Sequence, residues 1–277
     1  MIRPRVLILH AKGTNRDREA LQACDLAGGQ GEIVHVNQVR DGSRRLSDYQ
    51  MLVLPGGFSY GDDLGAGRLW ALDLRHVLRD QVRAFVAAGR PVIGICNGFQ
   101  ALVKSGWLPG MPSGQHTNGQ TASQEPSDWA ADIGPAATLT RNASNHFECR
   151  WVWLEPDTRS PCVFTAGLSE RIYCPVAHGE GRFVPRDAAM LQALQAQHLV
   201  AVRYVAPDGA TMGYPYNPNG SVADIAGICN ATGTVFGLMP HPEDHILPEQ
   251  HPRWARGERG NMGLVLFENG IRYAAQC

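Results

Sequence analysis

The residues best suited to covalent chemistry in this 277-residue chain are Cys96 and its neighbours. Gly94-Ile95-Cys96-Asn97-Gly98 is the cysteine form of the G-x-S-x-G nucleophile elbow. In an elbow the nucleophile sits on a tight strand-to-helix turn in a strained backbone conformation. Side chains two residues to either side would crowd it, so both positions favour glycine. The helix that follows supplies free N–H groups and a dipole that suit an anionic sulfur. The pentapeptide alone is modestly specific, because a buried structural cysteine at a strand–helix junction fits it too. A cysteine nucleophile also needs a base and a group that orients the base. Met239-Pro240-His241-Pro242-Glu243 follows an apolar strand pattern, and α/β proteins place their sites at the carboxyl ends of strands. The prolines predict an extended segment, in which residues two apart point to one side. Glu243 is then expected to hold one ring nitrogen of His241 and leave the other for Cys96. A proline-rich loop with two incidental polar residues is the competing reading.

An acyl intermediate develops an oxyanion and needs preorganised N–H donors. The N–H of Asn97, next after the nucleophile, is one candidate. Pro55-Gly56-Gly57 ends another strand pattern. Glycines there let the backbone approach a substrate, which makes Gly56 a candidate contact and the Gly57 N–H the second donor, although a plain tight turn has the same signature. His241, His245, His251 and Glu243 could be read as metal ligands. Pro242 and Pro248 forbid the helix that would align them, and no second cluster completes a tetrahedral set, so no metal centre is expected. A phosphate loop of the G-x-x-x-x-G-K-[ST] type is absent and the chain has only Lys12 and Lys104, so ATP chemistry is not expected on it.

The elements that must position these residues alternate between two periods. Val6–Leu9, Glu32–Val36, Met51–Leu54 and Val92–Ile95 read as buried strands. Helices are predicted over Arg16–Ala27, with Asn15 as cap, over Asp73–Ala88, and from Asn97 to Ser105. Unalternating strands separated by helices imply a parallel sheet covered on both faces. The second half is richer in strand patterns: Phe147–Leu154, Ile172–Ala177, Leu199–Val205, Ile225–Cys229 and Thr234–Met239, the last two joined as a hairpin through Asn230–Gly233. Short helices are expected over Asp187–Gln197 and Asn261–Ala275. The Gly/Ser/Gln/Pro-rich stretch 110–136 reads as a surface insertion within a single domain spanning 1–277.

Composition narrows the partners. Hydrophobic residues make up 44% and charged residues 18%, which excludes wholesale disorder. With 25 Lys+Arg against 26 Asp+Glu, no general attraction to nucleic acid or to a membrane surface is expected. No apolar run reaches bilayer-spanning length, and Val6–Leu9 is too short for the core of a signal peptide, so a cytoplasmic location is expected. An odd count of seven cysteines without C-x-x-C argues against a disulfide framework.

Taken together, Gly94–Gln100 and His241-Pro242-Glu243 resemble the class I (triad) glutamine amidotransferases. Within that family the likeness is nearest the glutaminase subunits of phosphoribosylformylglycinamidine synthase, a ligase of purine biosynthesis. Supporting stretches occur in the family's order: Pro55–Asp63, Arg141–Ser144 with Phe147–Val152, Pro175–Phe183, and Asn217–Ser221 running to Ile225–Asn230. The resemblance implies a flavodoxin-like fold with an added β-rich portion. It implies that Cys96 attacks the glutamine side-chain amide, that His241 shuttles the proton, and that Glu243 orients His241. It implies that Gln100 contacts the α-carbon end of glutamine, and that His178-Gly179 closes over it. Ammonia would pass through a protein channel to an ATP-using synthetase subunit, with a small third subunit left open; ATP and magnesium would belong to the partner, and this chain would carry no cofactor. Asp244 stands where many relatives have a basic residue, and Asp63 and Gly65 replace an aromatic and a basic one, departures that bear on docking rather than on the triad. Segments 110–136 and 244–260 look extra, as inert loops or as partner contacts. Another amidotransferase or cysteine hydrolase on this fold, or a non-catalytic regulatory subunit, remains the alternative.

Overall fold

A computed structural model describes residues 3–110, 135–208 and 213–277. Most of the expected insertion, 111–134, lies outside the described residues. The apolar runs of the first half form β1 (Arg5–His10), β2 (Gln30–His35), β3 (Met51–Leu54) and β4 (Val92–Ile95). Every residue of β3 and β4 is buried. Strands covered on both faces have no solvent side to alternate with, which is why they read as unbroken apolar runs. Helices α1 (Asp17–Leu26), α2 (Val36–Arg40), α3 (Arg68–Leu72), α4 (Arg79–Ala87) and α5 (Asn97–Ser105) fall between and after them. The second half supplies β5 (Ala137–Thr140), β6 (Glu148–Pro156), β7 (Ile172–His178), β8 (Arg182–Pro185), α6 (Ala188–Ala196), β9 (Val202–Val205), β10 (Ile225–Cys229), β11 (Val235–Leu238) and α7 (Leu264–Ala274).

Nine strands form one sheet in the order β2-β1-β3-β4-β11-β10-β9-β6-β7. From β2 to β11 all pairings are parallel. Beyond β11 all are antiparallel. The β-rich portion thus prolongs the central sheet, with β5 and β8 as a separate antiparallel pair. Helices cover both faces. Met51 of β3 reaches Gly270 of α7, while Leu54, three residues on and pointing the other way, packs on Gly98 of α5.

The sheet does not stay flat. Five strand spacings separate β4 from β7, about 24 Å in a plane. Yet the Sγ of Cys96, just past β4, lies 3.9 Å from the Ala177 carbonyl of β7. The accumulated twist of the antiparallel half therefore brings β7 back over the carboxyl ends of the parallel strands.

Four sequence expectations are corrected. The predicted helix over Asp73–Ala88 is broken: α3 starts earlier at Arg68, Asp73–Val77 is a wide π turn, and Leu78 leaves helical geometry before α4. The Tyr60 hydroxyl donates to the Asp73 carboxylate where the turn begins, a long-range bond that no local pattern encodes. Asn15 does not cap α1. Its N–H goes to the Gly56 carbonyl, Arg16 holds the cap position without a side-chain bond, and Asp17 and Glu19 supply the favourable charge of the first turn. The short strands β5 and β8 form where no strand is expected, because four residues each, with only two buried positions apiece, are too short for the alternation to show. Segment 242–244 is a 3₁₀ turn rather than extended chain. The stretch that follows lies along the outer edge of β7. The Tyr173 N–H donates to the Asn261 carbonyl, His245 Nδ1 donates to the Tyr173 carbonyl, and the His241 N–H donates to the Pro175 carbonyl.

Candidate active site

The carboxyl ends of β3, β4 and β11 lie side by side, with Leu54 opposite Gly94 and Ile95 opposite Leu238. Cys96 leaves β4 at φ 49°, a left-handed value that is costly for a residue with a Cβ. The glycines around it have steric causes. A Cβ on Gly98 would stand 1.9 Å from the Leu54 carbonyl oxygen, and one on Gly94 2.8 Å from the Gly98 carbonyl oxygen. The elbow is thus clamped by two positions that admit no side chain, Gly98 against β3 and Gly94 against α5.

His241 emerges three residues past the end of β11 and is 2% exposed. Pro242 opens the 3₁₀ turn, and the turn brings Glu243 back to the ring: Nδ1 of His241 lies 2.7 Å from Oε1 of the fully buried Glu243. The expected pairing is present by this route and not by extended geometry. Gly56 makes room for the imidazole, since a Cβ there would meet its Cε1 at 2.7 Å. Burial works against a proton on His241. The Glu243 carboxylate and the Cys96 thiol, also as a hydrogen-bonding group, outweigh it and hold the imidazole pKa well above its ordinary value. Nε2 is buried without a fully aligned partner, and the thiol inclines to the Ala177 carbonyl. Such bonds commonly tighten only when substrate is present.

Among the described residues, neither the Gly57 N–H nor the Asn97 N–H has a protein acceptor. Gly57 has φ 142°, and a Cβ would stand 2.7 Å from the Asn15 nitrogen. The side chain of Asn97 ties the two donors together. Its Oδ1 accepts from the backbone N–H (3.1 Å) and hydroxyl of Ser59, and its Nδ2 donates to Asp62 (3.0 Å) and to Gln100 Oε1 (2.9 Å). Ser59 and Asp62 were not singled out in the sequence. Their only signal was membership of the Pro55–Asp63 stretch.

Gln100 is 3% exposed, and its amide is engaged by Asn97 and by the Glu180 carbonyl at 2.6 Å. It therefore joins the helix to the turn after β7. His178, at the end of β7, is buried. Burial, then the charge of His241, lowers its pKa to about 4 and keeps the ring neutral. Gly179 has room for a side chain: a Cβ there would meet nothing nearer than Phe147, at 3.8 Å. Asp244 is held up to about 6 by burial and by the Glu243 charge, and lies 3.7 Å from Arg16. His245 and His251 pack with Trp151 and Tyr173 in an aromatic cluster and do not join His241. No group of three His, Cys, Asp or Glu side chains poised for a metal occurs among the described residues. No helix among them is long and apolar enough to cross a membrane.

The arrangement has the parts of an acyl-transfer site: a strained thiol, a proton-accepting imidazole, a carboxylate behind it and two free N–H donors. Comparison with known proteins agrees. Residues 3–274 match the family of CobB/CobQ-like glutamine amidotransferase domains. The chain is 46% identical to the phosphoribosylformylglycinamidine synthase subunit PurQ of Treponema denticola, over 98% of this chain and 99% of that one. It is 43% identical to the PurQ subunit of Dehalococcoides mccartyi, over the whole of both. Among solved structures, that of PurLQS from Thermotoga maritima covers 98% of this chain and 99% of its own, at 29% identity and a TM-score of 0.70. The chain belongs to the CobB/CobQ-like glutamine amidotransferases and, within them, to the PurQ subunits of phosphoribosylformylglycinamidine synthase.

Proposed function

We propose that this chain is the glutaminase subunit of a phosphoribosylformylglycinamidine synthase and that Cys96, His241 and Glu243 carry its chemistry. The observation that carries the reading is the meeting of two distant chain segments: Glu243 holds His241 Nδ1 at 2.7 Å, and His241 in turn feels the Cys96 thiol. His241 takes the thiol proton as Sγ attacks the side-chain amide carbon of glutamine. The Gly57 and Asn97 N–H groups stabilise the oxyanion. His241 then gives the proton to the departing ammonia, and a water attacks the thioester to release glutamate. Ammonia passes to a synthetase subunit, where ATP and magnesium are used and formylglycinamide ribonucleotide becomes the amidine. A sheltered path suits this division, because ammonia released to water becomes ammonium, which is not a nucleophile. The cytoplasm is the location that fits this pathway.

The test is glutamate and ammonia release from glutamine by the complex of this chain with its synthetase subunit. Cys96→Ala should lower the rate by about 10⁴-fold or more. Near-normal turnover in that variant would remove the triad. The lone chain should be much slower than the complex, because partner and substrate complete such sites.

A further inference from the structure

The turn His178–Gly181 forms one wall of the nucleophile's site. Ala177, just before it, faces the thiol at 3.9 Å, and the carbonyl of Glu180 is held by Gln100 of α5. Gly179 has open space around it, so side-chain packing does not fix the turn at that residue. Most of the turn's backbone is held from outside, and Asn142 makes three of those bonds. Asn142 donates from its backbone N–H to the Gly179 carbonyl (2.9 Å) and from Nδ2 to the His178 carbonyl (2.8 Å). Its Oδ1 accepts from the Gly181 N–H at 2.9 Å. With Gln100 on Glu180, all three carbonyls from 178 to 180 are occupied. The N–H groups of Gly179 and Glu180 are left without an acceptor among the described residues.

Asn142 is itself locked. It is 3% exposed, Nδ2 also reaches the His146 carbonyl (2.9 Å), and the next residue, Ala143, donates its N–H to the Asn219 carbonyl (3.0 Å). Asn219, fully buried, donates from Nδ2 toward His178 Nε2 (3.3 Å) and to the Tyr204 hydroxyl (3.1 Å). The ring of His178 is stacked under Gly181, where any Cβ would stand 2.5 Å from Nε2. An amide that satisfies both a carbonyl and an N–H of one turn selects a single backbone shape; an alanine leaves both unpaired and the turn free to relax.

We propose that Asn142 is a positioning residue for glutamine: it latches the 178–181 turn so that the two free N–H groups stand preformed beside Cys96. The inference rests on the glutaminase reading. It concerns substrate capture and not the chemical step. In the complex with the synthetase subunit, Asn142→Ala should raise KM for glutamine at least tenfold and leave kcat within about threefold. A chloroketone analogue of glutamine should alkylate Cys96 at least tenfold more slowly than in the unaltered protein, while iodoacetamide, which needs no amino-acid recognition, should react at the unaltered rate. Asn142→Asp keeps the side chain's shape but faces the His178 carbonyl with a second acceptor; it should reproduce the KM effect should the alanine variant fold poorly. Unchanged KM in a folded variant would overturn the proposal. Equal slowing by both reagents would overturn it as well, since the elbow itself would then be disturbed. An unaltered complex that consumes no glutamine, yet whose Cys96 reacts with iodoacetamide, would overturn the glutaminase reading and this inference with it.

Discussion

The two halves of the nine-stranded sheet solve different problems. The parallel half, β2 to β11, carries Cys96, Gly57 and His241 on strand ends whose backbone is forced into shape by apolar packing and by glycines without room for a side chain. The antiparallel half, β10 to β7, together with the loops beside it, holds the opposite wall through buried amides, hydroxyls and one neutral imidazole. Strain held by close packing sets reactive atoms to a fraction of an ångström. Polar latches set the shape of a turn and can be redrawn by one side chain. Chemistry is therefore expected to fail when the first half is altered, and recognition when the second is.

The sharpest break lies at the orienting carboxylate. Glu243→Gln retains a hydrogen-bonding group of the same size but removes the charge, so glutaminase kcat should fall by about 10²- to 10⁴-fold. The pH at which activity rises should move down, because Glu243 is the largest influence raising the His241 pKa. A pH–rate profile that does not move would contradict this. Next is Gly98→Ala. With 1.9 Å to the Leu54 carbonyl, α5 or β3 must shift, and the loss should reach about 1–3 kcal/mol or more, read as a lower urea midpoint. An unchanged midpoint would show that the clamp is softer than described.

The two buried histidines give a contrast in pH. His178 is pushed down to about 4 in the fold, against about 6.5 when unfolded. On acidification the unfolded chain takes up this proton first, so stability is lost as pH falls from about 6.5 towards 4, by about 2 kcal/mol between pH 7.5 and 5. His241 is shifted the other way. Its contribution is present below about 6.5 and is lost as pH rises through its folded value. Urea titrations at pH 7.5 and 5 should show His178→Gln losing less stability on acidification than the unaltered protein. The smallest effect belongs to Gly179→Ala. Its Cβ enters open space, so the unfolding free energy from urea titration should stay within about 0.5 kcal/mol of the starting value. The same substitution at Gly181, against the His178 ring, should be clearly worse.

Legibility in the sequence followed the same division. β3 and β4 stood out because double burial leaves no polar position, and Pro55 and Cys96 mark where they end. Cys96, His241 and Glu243 were readable because glycine and proline pin their spacing, although the turn at 242–244 replaced the expected extension. The antiparallel half was less readable. Asn142, Asn219 and Ser221 look like ordinary turn formers in a linear reading, and their bonds join positions about 40 residues apart. The stretches containing them could be recognised as belonging together, but no spacing rule gives a role to an amide whose partners lie on another segment. The π turn at Asp73 was hidden for the same reason, its anchor being Tyr60.

The backbone run along β7 has a consequence for the molecule among its own copies. An outermost strand offers a row of unpaired amides to any neighbour that can extend a sheet. Here the chain after Asp244 occupies sites on that border itself, through Tyr173 and Arg171. The far border, β2, carries Glu32 in the grip of Arg5, Arg44 and Tyr49, a charged fringe that discourages lateral addition. A segment that looks dispensable for catalysis thus guards against fibrous stacking, and trimming it should show first as turbidity in concentrated solution.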